Sequence, residues 1–427
     1  MRPRANLFLS AGRPAGGEGV PVNFLGSNAE QAAAKNRQLV LATIHRGAPI
    51  SRTELAERCG LTKQAIARIV DRLVDEGLVM EARRRHGLRG QPAIELEIDP
   101  EGMFSVGANI DRDHLTVVVV DATGTVRGRV HHEKSFILPD EFMALFSDAL
   151  STFRRRKLVD EGRLAGVGLA IPDWLGEIDV IGRPDAYAAW TEFDLRGAVE
   201  AVTPHPVFID NDANAAALGE IDYGLGTEIG SFFYILANAC VGGALVIDGV
   251  RHKGAGGING EIGCLPVREV DESGAGRIRQ LGELFSMFLL YDHLRAHGIV
   301  VNTPTELAAL DGRGRALVSD WIGRAAGWLA EAVSHIALIA DPEAVLIGGR
   351  MPVRLIDELI VQAQKECLRA GLPQVTLHRA VCSEDAAALG AAAMPLAHRL
   401  GLPSADAGQL ERVPLRTDHT LAAAPSV

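Results

Sequence analysis

The chain has 427 residues and a net charge of −11, with 47% hydrophobic and 23% charged residues. This length predicts two or three domains, because one ordinary core does not hold so long a chain. No apolar run approaches the about 18 residues that a membrane span needs, and the first residues lack a secretory hydrophobic segment. We therefore expect a cytoplasmic globular protein without a membrane partner. The five cysteines, at positions 59, 240, 264, 367 and 382, form no CxxC pair and are predicted to be reduced thiols.

The net charge conceals an uneven distribution. Residues 35–92 contain 12 Lys and Arg against 6 Asp and Glu, a balance of +6 that leaves −17 for the rest of the chain. A basic module on an acidic body indicates a DNA-binding domain attached to a domain of another kind.

The basic module has the pattern of a winged helix-turn-helix, predicted over residues 31–99. Residues 1–30, rich in Gly, Pro, Ala and Asn, are predicted to be a disordered arm. A first helix is followed by a capping box, Ser51 with Glu54, and then by a helix capped by Thr62. Strand patterns on either side of an Arg-rich turn predict a hairpin, the wing.

Two groups of side chains are the predicted contacts to operator DNA. The helical group is Ser51, Arg52, Thr62, Lys63, Gln64 and Arg68, and the wing group is Arg83, Arg84, Arg85 and Arg89. The alternative for the arginine run is a solvated face or a linker.

The body starts after the turn at 99–102 and shows a weak internal repeat. Strand patterns at 104–130 recur at 232–250, which predicts two α/β lobes separated by a cleft.

Between the two repeated strand patterns the sequence has a polar junction. The run Val207–Ile209 predicts a buried strand, and the alanines from Ala213 onward predict a helix. The residues at the junction are Asp210, Asn211, Asp212 and Asn214. Ligands bind at the carboxyl ends of strands in open α/β sheets, so this junction predicts a small-molecule site. For Asp212 the alternative is a plain helix cap.

The junction also carries a family resemblance. The segments 211–220, 248–249 and 254–263 resemble the two signature blocks of the ROK family (repressors, open reading frames and kinases), and the likeness extends over roughly residues 35–400. The resemblance implies an α/β fold: an N-terminal winged helix-turn-helix followed by a two-lobed actin-like ATPase (ribonuclease H-like) ROK domain over residues 100–400. The lobes would divide near residue 212, and 401–427 would form a loose tail.

The resemblance also implies roles for the site residues. In ROK kinases the residue matching Asp212 is the general base that accepts the proton of a sugar hydroxyl, and those matching Asn211 and Glu261 hold other hydroxyls. Asp173 and Trp190 lie where the family contacts its ligand, although Trp190 fits the core equally well. These residues predict a sugar or polyol as the effector.

Two departures from the family pattern argue against catalysis. ROK kinases have Asp-x-Gly-Gly-Thr in the first phosphate loop and Gly-Thr-Gly in the second. Here the matching segments are 109–113, which has two aspartates but no glycine or threonine, and 238–240, which also lacks both. Phosphate loops need glycine so that the backbone can approach the phosphates. We therefore expect no ATP binding, no cofactor and no enzymatic activity.

The family's zinc ligands are also missing from the pattern. The family's histidine is replaced by Cys264, and the following segment 270–283 has no cysteine. A structural zinc site needs four ligands, so we expect no metal, and we predict that Cys264 is a buried apolar residue.

The favoured interpretation is a transcriptional regulator, a repressor of genes for carbohydrate uptake or catabolism. A homodimer, or a dimer of dimers, would present paired winged helices to a palindromic operator. The alternatives are an active ATP-dependent ROK sugar kinase, and an adaptor that is regulated by a protein partner.

Overall fold

A computed structural model of the chain describes residues 28–85, 93–173, 175–176, 183–255, 257–270 and 276–401. Within these residues the chain forms a small N-terminal module and a body of two α/β lobes. None of the described helices is long and apolar enough to cross a membrane. Most of the predicted arm and tail lies outside the described residues.

The N-terminal module is a winged helix. Its elements are α1 (Asn28–Gly47), β1 (Ile50–Ser51), α2 (Arg52–Cys59), α3 (Lys63–Asp75), β2 (Val79–Arg85) and β3 (Ala93–Ile98). The strands pair antiparallel in the order β1-β3-β2. Both predicted helix starts are confirmed: Ser51 and Glu54 form the capping box of α2, and the Thr62 hydroxyl accepts from the backbone N–H of Ala65. These caps satisfy N–H groups that a helix start otherwise leaves unpaired.

The first lobe is a five-stranded sheet with a helix on each face. Its elements are β4 (Phe104–Ile110), β5 (His114–Asp121), β6 (Val126–Glu133), α4 (Pro139–Arg155), β7 (Leu164–Ile171), α5 (Leu195–Glu200), β8 (Val207–Asn211) and α6 (Asp212–Tyr223). The strand order is β6-β5-β4-β7-β8, with an antiparallel meander and two parallel strands. Every residue of β4 and β5 is buried, because helices cover both faces of the sheet.

The second lobe repeats this topology. Its elements are β9 (Phe232–Ala237), β10 (Val241–Ile247), β11 (Val250–Arg251), β12 (Pro266–Val270), β13 (Gly276–Gln280), α7 (Met287–Ala296), α8 (Pro304–Ala308), α9 (Gly312–Ala340), β14 (Ala344–Gly348), α10 (Val353–Ala370), β15 (Thr376–Arg379) and α11 (Ala386–Leu400). The main sheet has the order β11-β10-β9-β14-β15, and β12 and β13 form a separate hairpin. The predicted internal repeat and two-lobed fold are therefore confirmed.

Helix α11 returns from the second lobe to close the first. It packs on β4, β7 and α6 through small residues: a Cβ on Gly390 would lie 1.6 Å from the backbone oxygen of Ala215 in α6. Ala392, Leu396 and Leu400 of α11 share one hydrophobic cluster with Val40 of α1. The winged helix is thus anchored on the first lobe by an apolar core.

One predicted helix is shorter than expected. The apolar spacing predicts a helix over 281–297, but the structure has a single 3-10 turn, Leu281–Glu283, followed by α7 from Met287. The Ser286 hydroxyl accepts from the backbone N–H of Leu289 and starts the helix anew. A local side-chain cap therefore overrides the periodic pattern.

Candidate functional site

The polar junction follows β8, and its neighbouring side chains make different contacts. Asn211 is the cap of α6, because its side-chain oxygen accepts from the backbone N–H groups of Ala213 and Asn214. Asp210 forms an ion pair with Arg251 of the second lobe at 2.7 Å. The cap is therefore supplied by Asn211, and Asp212 is left for another role.

Asp212 is buried at the start of α6. Its residue is 7% exposed, and burial together with the Asp111 carboxylate raises the pKa of Asp212 to about 8, although the Arg112 guanidinium opposes the shift. Removal of water from a carboxylate favours its neutral form. Asp212 is therefore a carboxylic acid that can both donate and accept a hydrogen bond near neutral pH.

Asp173 and Glu261 lie at the mouth of the same site. The Asn211 amide nitrogen donates to Asp173 at 2.9 Å. Glu261 is exposed as a residue, but partial removal of water from its carboxyl group and the neighbouring Asp173 carboxylate raise its pKa to about 7. Asn211, Asp212, Asp173 and Glu261, four of the five predicted ligand residues, are thus brought together, and Asp173 and Glu261 are exposed. Convergent carboxyl and amide groups open to solvent suit a ligand with several hydroxyls.

Trp190 lies elsewhere. Its side chain is buried in the core of the first lobe, its indole N–H donates to the backbone oxygen of Ile137, and Phe142 and Phe193 pack against the ring. These contacts correspond to the core role that was the alternative to a ligand wall.

The prediction for Cys264 is wrong. The residue is exposed, because it ends a short 3-10 turn, Ile262–Cys264, in which Ile262 alone is buried. Its replacement of the family's histidine did not imply an apolar environment.

The hairpin between β4 and β5 carries three buried charged side chains. Asp111, Arg112 and Asp113 are each at most 4% exposed. A guanidinium N–H of Arg112 donates to the backbone oxygen of Asp173 at 2.7 Å. In the matching loop of the second lobe, Asn238 is 3% exposed. Both loops therefore carry buried polar or charged side chains.

Asp111, Asp113 and His114 place possible ligand atoms within 4.8 Å of one another. The Asp113 carboxylate, however, bonds to His114 at 2.6 Å and to Arg350 at 2.8 Å, and the second ring nitrogen of His114 is 2.9 Å from Asn109. Asp113 and His114 are already bonded to other side chains of this chain, so we assign no metal to the group.

On the winged helix, the start of α3 is open to solvent. Thr62, Lys63, Gln64 and Arg68 are exposed, and within the described residues the last three make no side-chain hydrogen bond or ion pair. Such a helix end can enter the major groove.

The other predicted DNA contacts differ. Ser51 is held in the α2 cap, and Arg52 forms ion pairs with Asp71 and Glu81 of the same module; as DNA contacts both remain predictions. The backbone at 83–85 belongs to β2, but these side chains and Arg89 lie outside the described part of the chain.

One residue that joins the two lobes was not predicted. Arg350 follows the glycine turn after β14 and contacts Asp113 and Glu133 of the first lobe. No local pattern marks it, because its partners are more than 200 residues away.

Comparison with known proteins gives matches to both parts of the chain. Residues 105–398 match the model of the ROK family, and residues 39–90 match that of the MarR family. An uncharacterized protein of Sinorhizobium fredii, y4fQ, is 27% identical over 369 residues, which cover 84% of this chain and 90% of that protein.

Two further relatives are informative. The xylose repressor of Bacillus spizizenii is 26% identical over 233 residues, covering 54% of this chain and 60% of the repressor. A crystal structure of a ROK family transcriptional regulator, described as a homolog of the E. coli MLC protein, superimposes with a TM-score of 0.64 at 21% identity and covers 87% of this chain and 98% of its own. This last likeness shows a common fold.

Proposed function

Because the chain belongs to the ROK family, we propose that it is a DNA-binding transcriptional repressor of carbohydrate uptake or catabolism genes. Its kinase-like body binds a sugar or related polyol and does not phosphorylate it. A dimer presents two winged helices to a palindromic operator. The xylose repressor among its relatives supports a carbohydrate effector.

One observation carries the proposal: two sites of different chemistry lie on one chain. The exposed start of α3 offers Lys63, Gln64 and Arg68 to a nucleic acid, and the cleft offers Asn211 and Asp212, with Asp173 and Glu261, to a polyol. Cations and amides suit phosphate and base edges, whereas a group of carboxyl and amide side chains suits the hydroxyls of a polyol. The two sites therefore serve different ligands.

Contacts also connect the sites. Helix α6 begins at Asp212 and packs along α11, and α11 shares a hydrophobic cluster with the winged helix. An effector that binds more tightly to one arrangement of these elements changes the affinity for DNA. DNA changes the affinity for the effector by the same coupling free energy.

The kinase alternative is opposed by the base of the cleft. Asp111 and Asp113 introduce carboxylates where a nucleotide would bring phosphates, and like charges at short range repel. Asp212 alone supports catalysis, since it matches the residue that is the general base in ROK kinases. Release of ADP that depends on a sugar would establish the kinase alternative, and repression that only a protein partner reverses would favour the adaptor.

The test combines DNA retention with thermal unfolding. Purified protein is incubated with fragments of its own genome, and Lys63→Ala, Arg68→Ala and the control Arg369→Ala are compared on the retained fragments. Arg369 is 76% exposed on α10 and pairs with Glu366 of the same helix. We expect at least tenfold weaker binding by the first two variants and unchanged binding by the control. Retention of no fragment by the wild-type protein would refute DNA binding.

The effector site is tested on the same protein. A ligand that binds the folded state raises the unfolding midpoint, so sugars and polyols are screened against wild type and Asp212→Ala. We expect a shift in wild type that the variant loses. A shift of equal size in both proteins would place the ligand elsewhere.

A further inference from the structure

The two lobes are joined at the base of the cleft by a buried arginine. Arg350 follows β14 in the second lobe, and its side chain is 1% exposed. One guanidinium nitrogen lies 2.8 Å from Asp113 of the first lobe, and the other donates to Glu133. A single cation is thus shared by two carboxylates of the opposite lobe.

Asn238 makes a second connection beside the first. Its amide nitrogen donates to Asp111 of the first lobe at 3.0 Å, and its oxygen accepts from the backbone N–H of Arg350 at 2.9 Å. Gly349 permits this approach: its φ is +104°, and a Cβ there would lie 2.6 Å from the Asn238 oxygen. The turn and the amide are therefore fitted to each other.

The first-lobe end of this network is fixed in its sheet. Asp113 bonds to His114 at 2.6 Å, His114 lies 2.9 Å from Asn109, and Asn109 donates to the backbone oxygen of Ala170 in β7 at 3.2 Å. Although burial acts against ionisation, His114 and Arg350 hold the pKa of Asp113 below its usual value. The carboxylate is therefore charged and positioned to receive Arg350.

We propose that Arg350 and Asn238 form an interlobe latch, a built-in set of contacts that holds the two lobes closed at the base of the cleft without a nucleotide. The latch consists of Arg350 and Asn238 on the second lobe, and Asp111, Asp113 and Glu133 on the first. It goes beyond the proposed function, since it concerns how the lobes are held and not what they bind.

The latch also reaches the effector site. Asp111 accepts from Asn238, and its charge is one of those that act on Asp212. A ligand that contacts Asp212 therefore acts next to a member of the latch, and lobe closure and ligand binding influence each other.

The energetics identify the informative variants. Removal of one partner from a buried ion pair leaves an uncompensated charge and is strongly destabilising. Arg350→Ala removes the cation that attracts Asp113 and Glu133 of the first lobe to the second lobe, so we expect the two lobes to separate more readily. Asn238→Ala cuts the second connection without changing the charge, and serves if Arg350→Ala does not fold.

The experiment is hydrogen exchange of the full chain, without DNA or effector. The reporters are peptides that cover 109–114 and 346–352. The control is Arg379→Ala, because Arg379 pairs with Asp357 of its own lobe at 3.0 Å and both are at least 41% exposed. Small-angle X-ray scattering of the same samples measures the radius of gyration.

We expect at least tenfold faster exchange in both peptides of Arg350→Ala, a smaller acceleration in Asn238→Ala, and a larger radius of gyration with unchanged circular dichroism. The control should match wild type. Exchange within twofold of wild type in both peptides of a folded variant would overturn the latch. Since neither DNA nor effector is present, this result is independent of the proposed function.

Discussion

At the residue scale, adjacent positions of the signature have opposite environments. Asn211 caps α6 and bonds to Asp173 near solvent, whereas the next residue, Asp212, is buried. The sequence predicts that polar groups gather here, because a strand ends and a helix begins. It does not tell which of them is the cap, since Asn and Asp both serve in that role.

The environment of Asp212 predicts a dependence of stability on pH. The pKa of Asp212 is raised from 3.8 to about 8, so between about pH 4 and 8 the folded state binds more protons than the unfolded state. The stabilisation from the neutral carboxyl is fully present below pH 4 and is lost as pH rises through 8. We expect Asp212→Asn, which stays neutral, to be more stable than wild type at pH 8.5 by up to about 6 kcal/mol, since each of the roughly four pKa units between 3.8 and 8 corresponds to about 1.4 kcal/mol.

Urea unfolding at pH 5.5, 7 and 8.5 measures this effect. The midpoint of Asp212→Asn should fall less with pH than that of wild type, and the remaining slope reflects Glu261 and Asp222, whose pKa values are each raised to about 7. The exposed Asp185 supplies the control variant Asp185→Asn. Parallel slopes for Asp212→Asn and wild type would show that Asp212 is not buried in its neutral form.

At the element scale, local capping residues predict where a helix starts better than apolar periodicity does. The caps at Ser51 and Thr62 place α2 and α3 where the sequence predicts them, because a cap is completed within four residues of chain. The apolar pattern over 281–297 spans an interruption, because the Ser286 side chain caps α7 inside the periodic segment. Periodicity finds the buried face of a helix, but not its first residue.

The close packing of α11 on α6 predicts opposite effects on stability for alanine substitutions at two glycines. Gly390 lies against the backbone of α6, where a Cβ would come within 1.6 Å of an oxygen, whereas Gly327 in α9 has no atom within 4 Å of such a Cβ. We expect Gly390→Ala to lower the free energy of unfolding by about 1–3 kcal/mol through overpacking. Gly327→Ala should raise it by up to about 1 kcal/mol, because alanine favours the helix.

Urea unfolding of both variants at pH 7 measures the difference. Opposite signs for the two substitutions support close contact between α6 and α11, and circular dichroism confirms that helix content is retained. Equal stabilisation by both substitutions would mean that α11 does not pack as tightly on α6 as the structure indicates.

At the scale of the whole molecule, the two-lobed fold is predictable and the connection between the lobes is not. The repeated strand patterns and the signature blocks indicate two lobes and a cleft. The pair formed by Arg350 and Asp113 joins residues 237 positions apart, and a polar side chain gives no periodic signal of its burial. Tertiary structure alone brings these charges together.

The charge distribution predicts how DNA binding depends on salt concentration. The acidic body repels DNA, so binding is confined to the basic module, where each neutralised phosphate releases counterions. We expect the logarithm of the operator association constant to fall linearly with the logarithm of salt concentration. Lys63→Ala should make this slope shallower by about 1, as expected for the loss of one phosphate contact, while Arg369→Ala leaves it unchanged. Fluorescence anisotropy on the retained fragment measures the slopes between 50 and 300 mM KCl. At each salt concentration the protein concentration is varied ~30-fold around the dissociation constant. If the slope of Lys63→Ala equals that of wild type, Lys63 contacts no phosphate, and the phosphate contacts are made by other residues such as those of the wing.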